Sequence, residues 1–231
     1  EGLAEKIASR TQLKNKKHKE IRARWRKDAE QDWDSQPMTA DRLAIEIWEV
    51  IKDEDWVLTA GAMHDAARRL WDFDRPYCHG GRELGTGTQI GTSLGVALAN
   101  KGTGRLCIDL QPDGDLMFDA GSLWIAAKYE IPLLVVMYNN RAYYNDWNHQ
   151  IVIAKNRGTD PSRAYIGMDL LDPNPDFAGI ARAQGWWAEG PIENGDDVKP
   201  ALIRAIEQVK KGKPALVDTV CRRGKGQSML T

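Results

Sequence analysis

The sequence has little cysteine, almost no net charge, no long apolar run and no initiating methionine. Its 231 residues hold three cysteines (Cys78, Cys107, Cys221). That is an odd number with no metal-ligand spacing, which speaks against a disulfide framework and a zinc site and makes a reducing, cytoplasmic setting the expectation. A formal net charge of −1 leaves no global field to favour nucleic acid or an anionic membrane. The longest apolar run, Ile131 to Tyr138, is far too short to cross a bilayer. Residues 1–30 are densely charged and have no apolar core, so they do not read as a signal peptide. The chain opens on Glu1, as a processed chain, a trimmed one or a piece of a longer polypeptide would. What is present is ordinary for a globular protein: 42% hydrophobic and 28% charged residues. The length suits one large domain, or one with an appendage. There are no internal repeats and no low-complexity tracts.

The pattern divides the chain into residues 1–38, 39–221 and 222–231. The first part is rich in Lys and Arg, with only Leu13, Ile21, Trp25 and Trp33 as apolar anchors. It predicts a solvated helix over roughly 13–31 and then a linker through Ser35 and Pro37. The basic run at 16–19 could bind phosphate, but interleaved acids (Glu20, Asp28, Glu30) favour a solvated face. From Thr39, a candidate N-cap, helix and strand patterns alternate. Strands are predicted at 56–59, 105–110, 132–138, 186–188 and 214–220. Helices are predicted after Thr39, at 62–71, from the Gly- and Thr-rich stretch 85–93 onward, at 116–129, near 174–184 and at 196–211. Residues 140–172 read as a long irregular stretch. Apolar strands alternating with helices imply an α/β fold: a doubly wound, mostly parallel sheet with helices on both faces. Ligands of such sheets sit beyond the carboxyl ends of the strands, near a topological switch point, so chemistry is sought just after Thr59, Leu110 and Tyr138.

Two of those strand ends carry suitable side chains. The strand ending at Leu110 runs into Gln111-Pro112-Asp113-Gly114-Asp115. Gly114 permits a tight turn into a helix, whose free N–H groups and dipole favour a phosphate. A carboxylate beside a phosphate is a natural Mg²⁺ site, because Mg²⁺ takes oxygens from one or two carboxylates, phosphates and water. Alone, Asp113 and Asp115 would read as helix caps. The next strand, however, ends in Asn139-Asn140, and an amide oxygen is a good hard ligand. Paired Asn can also be turn chemistry. Both features at a fixed separation are harder to set aside.

Pro112-Asp113-Gly114, a spacer of 24 residues (115–138) and Asn139-Asn140 resemble the Gly-Asp-Gly … Asn-Asn motif of thiamine-diphosphate (ThDP) enzymes. The text between is similar to that of the acetolactate synthase, pyruvate decarboxylase and benzoylformate decarboxylase branch. The likeness covers roughly residues 40–220, the diphosphate-binding domain of the family, and 1–36 resemble the tail of the middle domain with its linker. The resemblance implies ThDP and Mg²⁺ as cofactors, with the metal on Asp113, Asn140 and the main-chain carbonyl of Ala142. It places Gly114, Asp115 and Leu116 at the diphosphate, Asp115 through its backbone N–H. It also places Gly61, Ala62, Met63 and His64 there, although His64 reads equally as a partly buried helix histidine. Thr88 would offer its carbonyl to the aminopyrimidine, and Ile90 would prop the cofactor in its bent shape; otherwise Ile90 begins a core helix. Pro112 departs from the motif and has no N–H to donate.

The resemblance implies an enzyme that cleaves or forms C–C bonds next to a carbonyl: a 2-oxo acid decarboxylase, a carboligase or transferase, or a 2-hydroxyacyl lyase, acting on small 2-oxo acids, 2-hydroxy acids or acyl-CoA. In the family an activating Glu comes from a separate pyrimidine-binding domain, which nothing in this chain resembles. Glu83 and Glu130 are candidates by residue type alone. No catalytic residue is therefore assigned, and a homo- or hetero-oligomer with sites at its interfaces is expected. Tyr143, Tyr144 and His149 read as substrate-facing or as packing, and the basic run from Arg222 as anion-binding or as a solvated tail. A noncatalytic assembly or binding subunit with the same fold is the competing reading, favoured by Pro112 and the absent Glu. A dinucleotide-binding domain ranks last: it needs GxGxxG directly after a strand and an acid about 20 residues on, and 80–91 follow no convincing strand.

Overall fold

The computed structural model describes residues 2–61, 63, 65–79 and 86–224. The strands are β1 (Trp56–Ala60), β2 (Leu106–Pro112), β3 (Leu134–Asn139), β4 (Trp187–Ile192) and β5 (Ala215–Val220). Four of the strands are buried along almost their whole length, as a sheet covered on both sides requires, and the edge strand β4 is only partly buried. All pair in parallel, in the order β1-β2-β3-β5-β4. Side chains alternate between two cores. Trp56, Leu58, Ile108, Leu110, Val136 and Tyr138 enter one, and Val57, Cys107, Val135, Met137 and Leu216 enter the other.

Helices cover both faces. On the first lie α2 (Ala40–Ile51), α3 (Ala66–Leu70) and α9 (Val198–Lys210); on the second lie α4 (Gln89–Ala99), α6 (Leu123–Lys128) and α8 (Phe177–Ala183). Right-handed crossovers explain why α9 lies opposite α4, α6 and α8. The chain steps one way across the sheet from β1 to β4 and reverses only from β4 to β5, which places α9 opposite α4, α6 and α8. That reversal does not lie between β2 and β3, so a site at their ends has the expected carboxyl-end position but not the expected switch point.

Several helices differ from the sequence expectation. The N-terminal helix α1 spans Gly2–Ala29, longer than 13–31, because strong helix formers carry it where apolar anchors are absent. Its second half is tied to the domain: Arg22 donates to the Trp71 carbonyl (2.9 Å) and pairs with Asp72 (2.6 Å). Thr39 caps α2 as expected, its hydroxyl accepting from Arg42 N at 2.9 Å. The 62–71 helix shrinks to α3. The 116–129 helix starts earlier and is broken into α5 (Asp113–Asp119), a 3₁₀ turn and α6. Residues 140–172 are not wholly irregular, for they contain α7 (Tyr144–Asn156). No residue of α7 is buried, so it lacks the apolar periodicity that marks a helix in a sequence.

Candidate functional site

Asp113 begins α5 directly off the end of β2, and Asn140 follows the end of β3, the adjacent strand. The two ends are joined by hydrogen bonds from the backbone to the Asp113 carboxylate, among them Ala142 N donating to Oδ2 at 3.1 Å. Asp113 is 1% exposed and Asn140 6%. Burial pushes the Asp113 carboxyl up to about 7; N–H groups of Gly114, Ala142 and Arg141 oppose the rise without cancelling it. Asn140 Oδ1 is buried and accepts no hydrogen bond. A buried acceptor without a donor and a carboxylate starved of counter-charge both cost stability, and one small cation would relieve both.

Around these residues lies a cavity of about 260 Å³, walled by Asp113, Gly114, Asp115 and Asn140 on one side and by Ala142 to Asp146 on the other. Gly114 is required there, since a Cβ would lie 2.6 Å from Tyr143 Cδ1. Asp115 turns its carboxylate away into the fold, accepting from Gly87 N (2.6 Å) and Gln111 Nε2 (3.0 Å). Asp115 also lines the cavity. Walls that include Asp113 and Asp146 repel a diphosphate unless a divalent cation lies between. Among the described residues no three His, Cys, Asp or Glu gather around a metal position. The donors are one carboxylate, one amide oxygen and main-chain carbonyls, a hard set suited to Mg²⁺. The residues present fit both groups.

The family model "Thiamine pyrophosphate enzyme, C-terminal TPP binding domain" matches residues 59–219. This chain belongs to that family. The acetolactate synthase isozyme 3 large subunit of Escherichia coli K12 is 28% identical over 178 residues, which are 74% of this chain and 29% of that protein. Among solved structures, the Rhodococcus jostii RHA1 thiamine diphosphate-dependent 4-hydroxybenzoylformate decarboxylase superposes with a TM-score of 0.67 at 22% identity, over 83% of this chain and 34% of that one. Benzoylformate decarboxylase from Polynucleobacter necessarius superposes at 0.63 with 19% identity, over the same shares. The chain thus spans about a third of the length of these relatives, and the two structures share its fold.

The ThDP-family positions fall as follows. Gly61 ends β1 with φ 77°, where a Cβ would lie 2.3 Å from the Leu110 carbonyl, so only glycine fits. Met63 is buried, with its side chain in the first core. Ala62 and His64 lie outside the described residues. The Thr88 carbonyl accepts from both N and Oγ1 of Thr92, at 3.1 and 3.0 Å, so an aminopyrimidine would have to share it. Ile90 and Leu116 are fully buried and belong to the second core. Tyr143 and Tyr144 line the cavity and His149 does not. Glu130 precedes β3, at the opposite end of the sheet from the site; Glu83 lies outside the described residues.

Three supporting residues escaped the sequence reading. Gln89 is buried and donates to Asp109 Oδ1 (2.7 Å) and to the Leu110 carbonyl (2.8 Å), tying α4 to the end of β2. Asp218 on β5 accepts from Asn139 Nδ2 at 3.1 Å, and Asn139 Oδ1 accepts from Arg141 N at 3.1 Å. The available signal was an acid inside each otherwise apolar strand, because a buried acid needs a partner.

Proposed function

We propose that this chain is the diphosphate-binding half of a ThDP- and Mg²⁺-dependent enzyme that cleaves or forms C–C bonds next to a carbonyl: a 2-oxo acid decarboxylase, an acetolactate synthase-like carboligase or a 2-hydroxyacyl lyase. The observation that carries this reading is the buried, unpartnered Asn140 Oδ1, at a strand end whose following backbone bonds to the buried Asp113. Asp113, Asn140 and the Ala142 carbonyl would hold Mg²⁺. Gly61, Ala62, Met63 and His64, with Gly114, Asp115 and Leu116 at the start of α5, would receive the diphosphate through backbone N–H groups. When bound, ThDP supplies an electron sink beside the substrate carbonyl. The chain's own work is to hold the metal, orient the diphosphate and keep water from the buried strand ends.

A pyrimidine-binding domain or subunit would supply the activating Glu, in a homo- or hetero-oligomer with the site at an interface. The position of Glu130 supports that need. Small 2-oxo acids, 2-hydroxy acids or acyl-CoA are the proposed substrates, and a reducing cytoplasm the proposed location, in keeping with three free, buried cysteines. Among the described residues no helix is long and apolar enough to cross a membrane. A noncatalytic assembly role is the second reading, favoured by Pro112. That residue caps α5 at φ −68° and ψ 144°, an unstrained conformation that removes one N–H from the motif.

The test is calorimetric titration of ThDP with and without Mg²⁺. Asp113→Ala and Asn140→Ala are each expected to abolish Mg²⁺-dependent binding. Wild-type affinity in either variant would overturn the metal assignment. Binding by the wild type without turnover in a complex with its pyrimidine-binding partner would favour the noncatalytic reading.

A further inference from the structure

Arg223 belongs to the basic run that reads from the sequence as a solvated tail or an anion contact, and the structure gives it a different task. After β5 the chain passes over the turn between β3 and α7. Arg223 Nε donates to the Asn140 carbonyl at 3.3 Å and Nη2 to the Arg141 carbonyl at 3.1 Å. Its guanidinium lies 4.6 Å from the ring centroid of Trp147, and the neighbouring Gly224 carbonyl accepts from the Tyr144 hydroxyl at 3.0 Å. Tyr144 and Trp147 both belong to the first turn of α7. Arg223 does not line the cavity, so its donors are spent on the backbone of the turn.

Arg141 has φ 57°, a left-handed conformation that a residue with a Cβ adopts at a cost. Its carbonyl also accepts from Leu170 N at 2.9 Å, so Arg223 adds a second donor there and its Nε serves the Asn140 carbonyl. A guanidinium offers two donors at fixed spacing, which suits two successive carbonyls, and its flat face suits an indole; an ammonium is a single point donor. From the other side the same turn is held by Asp218 through Asn139 and by Asp113 through Ala142. We propose that Arg223 is a positioning residue that locks the 139–142 turn, so that Asn140 Oδ1 and the Ala142 carbonyl are presented to a divalent cation without rearrangement. The metal part of this rests on the function proposed above; the bracing of the turn does not. Two effects oppose each other. The guanidinium charge repels a nearby cation, while the ordered turn favours it. Groups that orient metal ligands commonly contribute about 10–100-fold in metal affinity, whereas a partly exposed charge is screened, so ordering is expected to win.

The experiment compares wild type, Arg223→Ala, Arg223→Lys and Tyr144→Phe as full chains. Hydrogen exchange followed by mass spectrometry is read first, without metal. Peptides covering 139–143 are expected to exchange about tenfold faster in Arg223→Ala, with a smaller change in Arg223→Lys and the smallest in Tyr144→Phe, while α9 and β1 are unchanged. Unchanged exchange at 139–143 would overturn the brace whatever the metal does, and acceleration across α9 and β1 as well would reduce Arg223 to a general stabiliser. Mn²⁺ binding in the presence of ThDP, followed by electron paramagnetic resonance, is read second. About tenfold weaker binding in Arg223→Ala, partly restored in Arg223→Lys, is expected. Equal or tighter binding would overturn the positioning role. A wild type that binds no Mn²⁺ would sink the metal reading and leave the brace to the exchange result.

Discussion

The aromatic cluster beneath α2 and the strand-end site are both buried, yet they are built on opposite principles. In the cluster, Trp56 packs edge-on to Trp48 and Trp71 at 5.9 and 5.5 Å, and Trp71 stacks on Phe73 at 6.3 Å. The Trp71 indole N–H donates to the Ala44 carbonyl at 2.7 Å, and Arg75 lies over Trp56. That region buries apolar area and partners its polar atom. The site buries Asp113, Asn140 and Asp218, leaves Asn140 Oδ1 and Asp218 Oδ2 without donors, and holds Arg141 left-handed. The cluster stabilises the fold, whereas the site holds buried polar groups that cost stability.

The comparison breaks most clearly at the cluster. Trp56→Ala should destabilise the metal-free chain by about 3–5 kcal/mol, read by urea unfolding; a loss under about 1 kcal/mol would mean the cluster is not the stabilising region. The next effect is at the site and depends on pH. Burial raises the Asp218 carboxyl from 3.8 to about 6 against the lowering effect of Asn139. The folded chain then keeps a proton that the unfolded chain has lost. Stability is therefore fully present below about pH 4 and falls as pH rises toward about 6, by about 2–3 kcal/mol in all. Asp218→Asn should flatten that part of the curve, and an unchanged slope would remove Asp218 as its source. A smaller effect has the opposite sign. Asn140→Leu removes a buried acceptor without a donor and should leave the metal-free chain as stable as wild type or about 1 kcal/mol more so, while Mg²⁺-dependent ThDP binding is lost. A variant that is both destabilised and still binding would erase the contrast. The smallest change is at the edge of the cluster, where Thr39→Ala should cost about 1 kcal/mol through the lost cap of α2, seen as a lower urea midpoint.

The placing of Asp113 and Asn140 at two neighbouring strand ends was legible because its signals are local. Asp113 and Asn140 stand at fixed places after two apolar strands, and strands of that kind deliver their ends to one side of a parallel sheet. Thr39 announced its helix through the capping hydroxyl. What the pattern missed had no local mark. Helix α7 buries no side chain, so 140–156 looked irregular. The burial of Ile90 in the second core and the bonds from Thr92 to the Thr88 carbonyl likewise follow from how α4 packs.

The alternation of apolar strands and helices was enough to establish a parallel α/β domain and to place Asp113 and Asn140 after neighbouring strands, because those features repeat within short windows of chain. The partners around those strand ends depend on strand order. Asp218 meets Asn139 and Arg223 meets the Asn140 carbonyl across 79 and 83 positions, because β5 inserts beside β3 rather than beyond β4. No short-range pattern specifies that insertion. It follows from the reversal of the chain between β4 and β5, which packing α9 against α2 makes favourable.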